Sequence, residues 1–436
     1  MDKNHKPIDR TVAPPIKDFD DLRLDYPKPT ALPNGVPMYV VSGGDQEVFK
    51  IELVYRGGEF AQDKKLEATM AVDMLQFGSE KYDQKAISET LDFYGASFDA
   101  ESHLGYVIVS IKALNRCLDG VMPVFADMVL HPSYPENHFE ILKENKKDSI
   151  RTSERKTSVI ARKAMVREYL GKGHPMAETA TEMDVDDLTT DDLRMYHSKF
   201  CHTANLTIIL SGLITEEIKQ SVIKYFGTTA DGAKELEIAM IPPLLSGKKF
   251  VVTDCKDSVQ ASLIMRIPTI TRQHPDFLKL HVLCIVLGGY PGSRLMMNVR
   301  EQKGYTYHIQ ASLCGNLNHS FISVTAEIDT KHTAEVISEV KAEMRRLREE
   351  LIPDEELKVA CSYTMGMIAS TIDNPFSIGV HVGSMIVFGG YPEYFNKKVE
   401  EINNASAENL REIARKYLKE EDIFISVAGA KSIMKL

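Results

Sequence analysis

The stretch "VREQKGYTYHI", Val299 to Ile309, sets Arg300 close to two phenols, Tyr305 and Tyr307. A guanidinium is always charged and offers several donors to a carbonyl oxygen. A phenol adds one more donor on a rigid arm. Strand alternation predicts that Tyr305 and Tyr307 share a face, so they are rivals for one role. Such a set suits a carbonyl ligand. Equally, Arg300 can be a solvated helix-end cation and the tyrosines sheet aromatics, and the stretch alone leaves both readings open.

Other chemistry finds little support. The chain has 13 histidines, and no two have the H-x-x-x-H spacing of a helical metal site. His197 and His202 lie five apart, across the end of a helix, and read as surface or capping residues. The six cysteines (117, 201, 255, 284, 314, 361) form no C-x-x-C pair, which points to free buried thiols in a reducing compartment. "GYPGSRL" is not G-x-S-x-G, and no serine or cysteine triad is suggested. "LGGYPGSRL" lacks the G-x-x-x-x-G-K of a phosphate loop and reads as a turn between packed helices, as does "FGGYPEYF" at 388–395. "MAVDMLQFGSEKYD", Met70 to Asp83, runs from an apolar helix into Phe77-Gly78-Ser79 with no histidine on it and no pair of glutamates. The Met-rich "RLMMNVR" and "YTMGMIAS" read as core filler or as the lining of an adaptable groove.

The elements that must position these residues fall into two halves. The 436 residues are 43% hydrophobic and 26% charged, enough for a substantial core. A net charge of −10 excludes nonspecific nucleic-acid binding, and acid lining a cavity would favour basic or neutral peptides. Residues 1–30 are rich in proline and charge and predict an extended arm. Within 31–227, "VPMYVVS" and "VFKIELVYRGG" predict strands around Gly43-Gly44-Asp45, and "ASFDAES" with "GYVIVSIKAL" predicts a hairpin. "ENHFEILKENKKDSIRTSERKTSVIARKAMVREYL" predicts one long helical stretch, and Thr190 an N-cap for "TTDDLRMYHSKF". Residues 228–246 predict a linker, after which the order begins again in 247–436. "DIFISVAGA" echoes "NLTIILSG", and "PDEELKVACSYTMGMIAS" echoes "PENHFEILKENKKDSIRT". The predicted fold class is α+β: a tandem duplication of one αβ domain with mainly antiparallel sheet covered by helices. The N-terminus shows no apolar signal core and no later stretch would span a membrane, so the cytoplasm is expected, or the periplasm if a signal was removed.

This layout resembles the insulinase/pitrilysin-type zinc metallopeptidases, the inverzincins, which include mitochondrial processing peptidase and the respiratory-chain core proteins. The resemblance runs from about Leu32 to Ala430, and "LGGYPGSRLMMNVREQKGYTYHI" carries most of it. "MLQFGS", "LDFYGASFDAES" and "DLTTDDLRMYHSKF" add weaker matches in the first half. It implies that H-x-x-E-H, where two histidines bind zinc and the glutamate activates water, falls on Thr69, Val72 and Asp73. All three chemical groups are missing there, which makes these vestigial metal-site positions. The family's third ligand would fall near Glu144-Asn145. The resemblance also implies that Arg300 and Tyr307, with Tyr305 as rival, hold the substrate backbone opposite the zinc.

The chain is accordingly expected to be inactive alone and to hold no metal or cofactor. It would be half of a clamshell whose related H-x-x-E-H subunit supplies the zinc, in a heterodimer that handles short unfolded peptides. In isolation a homodimer is the expected stand-in. The alternative is a structural or peptide-binding subunit with no role in proteolysis, like the core proteins.

Overall fold

A computed structural model describes residues 11–12, 22–228, 234–237, 241–256, 258–315, 319–388 and 392–431. Most of the arm expected at 1–30, part of the linker expected at 228–246, and the Gly389-Gly390 turn lie outside the described residues.

Two sheets organise the chain. The first contains β1 (Thr30–Ala31), β2 (Pro37–Ser42), β3 (Val48–Arg56), β4 (Ser97–Ser102), β5 (Tyr106–Leu114) and β6 (Leu206–Gly212), in the order β1-β2-β6-β3-β5-β4. The second contains β7 (Phe250–Asp254), β8 (Gln260–Thr269), β9 (Thr306–Gly315), β10 (Ser320–Asp329) and β11 (Phe424–Gly429), in the order β7-β11-β8-β10-β9. Apart from β1, the orders are the same. Each sheet has one parallel pair, β2 with β6 and β7 with β11, and its other pairs are antiparallel. The duplicated α+β architecture is thus a property of the fold. The Gly43-Gly44 turn does not close a hairpin, because β6 pairs with both β2 and β3 and lies between them.

The central strands are apolar for most of their length because helices cover both faces. β3 is buried from Ile51 to Tyr55, β6 at every residue but Thr207, and β11 throughout. One face of each sheet meets helices of its own half. The other face meets a helix from the opposite half. Helix Thr157–Leu170 packs on β8 and β11, where the Tyr169 ring sits 5.4 Å from Phe424 and 5.5 Å from Phe321. Ser426 Oγ donates to the Ala161 carbonyl at 2.8 Å, deep in this contact. Reciprocally, helix Pro375–Val387 lies on β6 and β2, with Val382 among Val41, Val54 and Ile209. The predicted long helix is therefore two, Glu136–Ser153 and Thr157–Leu170, since the second piece must turn towards the far sheet.

Caps set the helix starts. Asn374 Oδ1 accepts from Ser377 N at 2.9 Å and begins Pro375–Val387, with Pro375 in its first turn. For Thr190–Phe200 the N-cap is Thr189, one residue before the expected Thr190. Thr189 and Asp192 exchange bonds in a capping box, satisfying two donors that Thr190 does not reach.

Candidate functional site

Arg300 sits in the π-helical turn Met296–Gln302. That helix is anchored behind it. Arg294, in the S-R-L stretch, donates twice to Glu356, at 2.7 and 3.0 Å, and Asn298 Nδ2 donates to Glu343 at 2.7 Å. The helix ends when Gly304, at φ +64°, turns its N–H back to the Arg300 carbonyl at 3.0 Å. β9 begins two residues later. Its first pairs are irregular: Thr306 opposes Ile328 and His308 opposes Glu327, which leaves Tyr307 as the extra residue of a bulge. Thr306 Oγ1 holds the bulge by donating to the Glu327 carbonyl and accepting from His308 N at 3.1 Å.

The bulge separates the two tyrosines. Tyr305 precedes the strand, is half-buried against the core and stacks on His332 with centroids 4.2 Å apart. Tyr307 is 84% exposed. The expected common face is therefore not observed, because regular alternation starts only after the bulge. Arg300, Tyr305 and Tyr307 nevertheless line one cavity of about 560 Å³, together with Glu301, Glu327 and Asp329. Arg300 Nε lies 3.6 Å from Glu301, too far for a tight pair, and half its side chain stays in water. Burial raises the Glu327 carboxyl above its ordinary range, while Ser262 Oγ, 2.6 Å away, acts in the opposite sense. The acid lining was not recognised from the sequence. Glu327 and Asp329, two apart on a strand, were its available signal.

Thr69, Val72 and Asp73 lie on helix Glu67–Asp73, and none of them lines the Arg300 cavity. Thr69 and Asp73 are partly accessible; Val72 is 1% exposed, packed in the core. Burial raises the Asp73 carboxyl, and the Lys146 ammonium on helix Glu136–Ser153 pulls it down. Glu144 and Asn145 are exposed, and Glu144 is paired to Lys147 at 2.6 Å. This donor set does not fit zinc: a hydroxyl and one carboxylate under the field of a lysine replace two imidazoles. Among the described residues, no group of three or more His, Cys, Asp or Glu is arranged to hold a metal ion. His197 Nε2 is bonded to the Val129 carbonyl at 2.8 Å, and His202 Nε2 lies 3.0 Å from Asn205 Nδ2. No helix among the described residues is long and apolar enough to cross a membrane.

Residues 68–177 match the family described as insulinase (peptidase family M16), and residues 187–362 match the domain described as peptidase M16 inactive domain. The chain belongs to the insulinase (M16) peptidase family. Among relatives of this M16 chain, an uncharacterized zinc protease YmxG from Bacillus subtilis is 22% identical over 79% of this chain and 83% of its own length. The non-peptidase homolog YmxG from Helicobacter pylori is 21% identical, over 87% of this chain and 89% of its own. Among solved structures, the peptidase M16 inactive domain from Pseudomonas fluorescens superposes with a TM-score of 0.82 at 19% identity, covering 94% of this chain and 99% of that one. A protease from Helicobacter pylori does so at 0.80 and 16%, covering 93% and 100%.

Proposed function

We propose that this M16 chain is a non-catalytic subunit that binds and positions an extended peptide through Arg300 and Tyr307, while a related chain supplies H-x-x-E-H and zinc. The observation that carries the reading is one cavity that unites Arg300 and an exposed Tyr307 at the start of β9, in a chain whose Thr69, Val72 and Asp73 cannot do the metal chemistry. β9 is the last strand of its sheet among the described residues, the kind of edge that accepts an added strand. Main-chain pairing there would hold an unfolded segment, and the bulge would aim Tyr307 at one of its carbonyls. Glu301, Glu327 and Asp329 outweigh Arg300 and favour basic or neutral side chains over acidic ones. A family relative named as a non-peptidase homolog supports a non-catalytic role.

Complementation tests this. Mixed with a cognate H-x-x-E-H subunit, the chain should produce peptidase activity that neither shows alone. Arg300→Ala and Tyr307→Phe should each lower turnover by about a hundred- to a thousandfold, the loss seen when one oxyanion donor is removed, without changing association on size exclusion. Tyr305→Phe should have little effect, because Tyr305 is committed to His332. Turnover within about twofold of wild type for both Arg300→Ala and Tyr307→Phe would replace this reading with a structural subunit.

A further inference from the structure

A second cavity, of about 390 Å³, lies in the second half, away from Arg300. Helices Phe277–Cys284, Asp354–Ala369 and Tyr394–Asn403 wall it, with the middle of β9 on one side. Its volume falls within the range of small-molecule sites. Most of its wall is apolar, including Ile285, Leu313, Met367 and Phe395. Its ionisable groups are all basic or neutral: Lys398, His281, His381, Cys284 and three tyrosines, with no aspartate or glutamate among the lining residues.

The Lys398 ammonium, on helix Tyr394–Asn403, has no ion pair or hydrogen-bond partner among the described residues. Burial, and then the Arg272 guanidinium, push its ammonium down to about 8. Arg272 is itself sandwiched, 5.0 Å from the ring centres of both Phe388 and Tyr394. His281 Nδ1 is buried without a partner, while His381 Nε2 lies 2.8 Å from Thr371 Oγ1. The N-terminal segment is tied beside the site, where Asn396 bonds the backbone of Leu24 in both directions at 2.9 and 3.0 Å. Tyr26 of that segment lines the cavity. A part-buried ammonium whose neighbouring charge is another cation is destabilised, and a buried ring nitrogen with no partner is unfavourable. One negative group would offset both. The apolar remainder of the wall calls for an apolar body on that group, and a single lysine suits a single charge.

We propose that this cavity binds an amphiphilic monocarboxylate, a medium-chain fatty acid, with its carboxylate at Lys398 and His281 and its chain among Ile285, Leu313, Met367 and Phe395. This goes beyond the peptide-binding role and is independent of it, since the two cavities share no lining residue.

Calorimetric titration of the full chain with sodium decanoate at neutral pH tests the proposal. One-to-one binding with a micromolar Kd is expected. Decanol, which keeps the tail and loses the charge, and inorganic phosphate, which keeps charge and loses the tail, should each bind at least about tenfold more weakly. Lys398→Met should lose about tenfold or more, Lys398→Arg should retain binding, and Leu313→Trp should block it by filling the cavity. The decanol comparison uses the unaltered chain and so decides the role of charge even if a lysine variant fails to fold. Absence of saturable decanoate binding below about 1 mM overturns the proposal, as does equal affinity for decanol. Decanoate binding that survives Leu313→Trp in folded protein also overturns it, because the ligand then sits elsewhere.

Discussion

Tyr305 and Tyr307 are identical in type and two apart, yet one ring is stacked on His332 and the other stands in water. Exposure leaves the Tyr307 phenol accessible, whereas the Tyr305 ring is already in contact. His197 shows the opposite use of a chemically capable side chain. Burial pushes its imidazole down to about 4, although the bond to the Val129 carbonyl opposes this and His131 adds to it. In the unfolded chain the ring protonates near 6.5, while in the folded chain it stays neutral until about 4. Its contribution to stability is therefore complete above about pH 6.5 and is lost as pH falls through that window to 4. His197→Gln keeps an amide donor for Val129 and removes the titration. The urea midpoint of the variant should fall less steeply than that of wild type between pH 6.5 and 4. Parallel profiles would show that His197 is not the group responsible.

At the scale of elements, the π-helical turn Ile285–Gly289 and β9 are fitted backbone to backbone. A Cβ on Gly288 would come within 2.5 Å of the Ala311 amide nitrogen. That contact is main chain and cannot swing aside, so the helix or the strand has to move. Gly288→Ala should cost about 1–3 kcal/mol in a urea titration, as overpacked cores do. Gly43→Ala is the control: a Cβ there meets nothing within 4 Å, and its effect should stay within about 0.5 kcal/mol. A neutral Gly288→Ala would mean that the close approach does not fix the position of β9. "LGGYPGSRL" is thus more than punctuation between helices: its Gly288 lets the turn Ile285–Gly289 approach the strand that carries Tyr307.

For the whole molecule, the exchange of helices Thr157–Leu170 and Pro375–Val387 makes each half part of the other's core. Tyr169 is fully buried between Phe321 and Phe424, on a helix from the first half that covers the second sheet. Tyr169→Ala should cost about 3–5 kcal/mol, as for other large aromatic truncations. Calorimetry should show one unfolding transition in wild type, moved down as a unit in the variant. Two transitions, with only one displaced by the mutation, would show that the halves unfold independently despite the exchange.

The sequence by itself determined what depends on residue type and local period. The apolar runs of β3, β6, β8 and β11 read as strands because each run is a property of a few neighbours, and their recurrence exposed the duplication. That Thr69, Val72 and Asp73 offer no imidazole was equally legible once the family resemblance pointed to them, since it is a matter of residue identity. The closeness of Arg300 to the strand bearing Tyr307 followed from short separation along the chain. Tertiary structure alone decided the rest. Whether Tyr305 or Tyr307 is exposed depends on a bulge that exists only in the pairing of β9 with β10. The acids facing Arg300, the cavity around Lys398 and the crossing of two helices arise from segments far apart in sequence. Such contacts leave no periodic trace, because burial of an apolar face fixes that it must be covered and not which distant segment covers it.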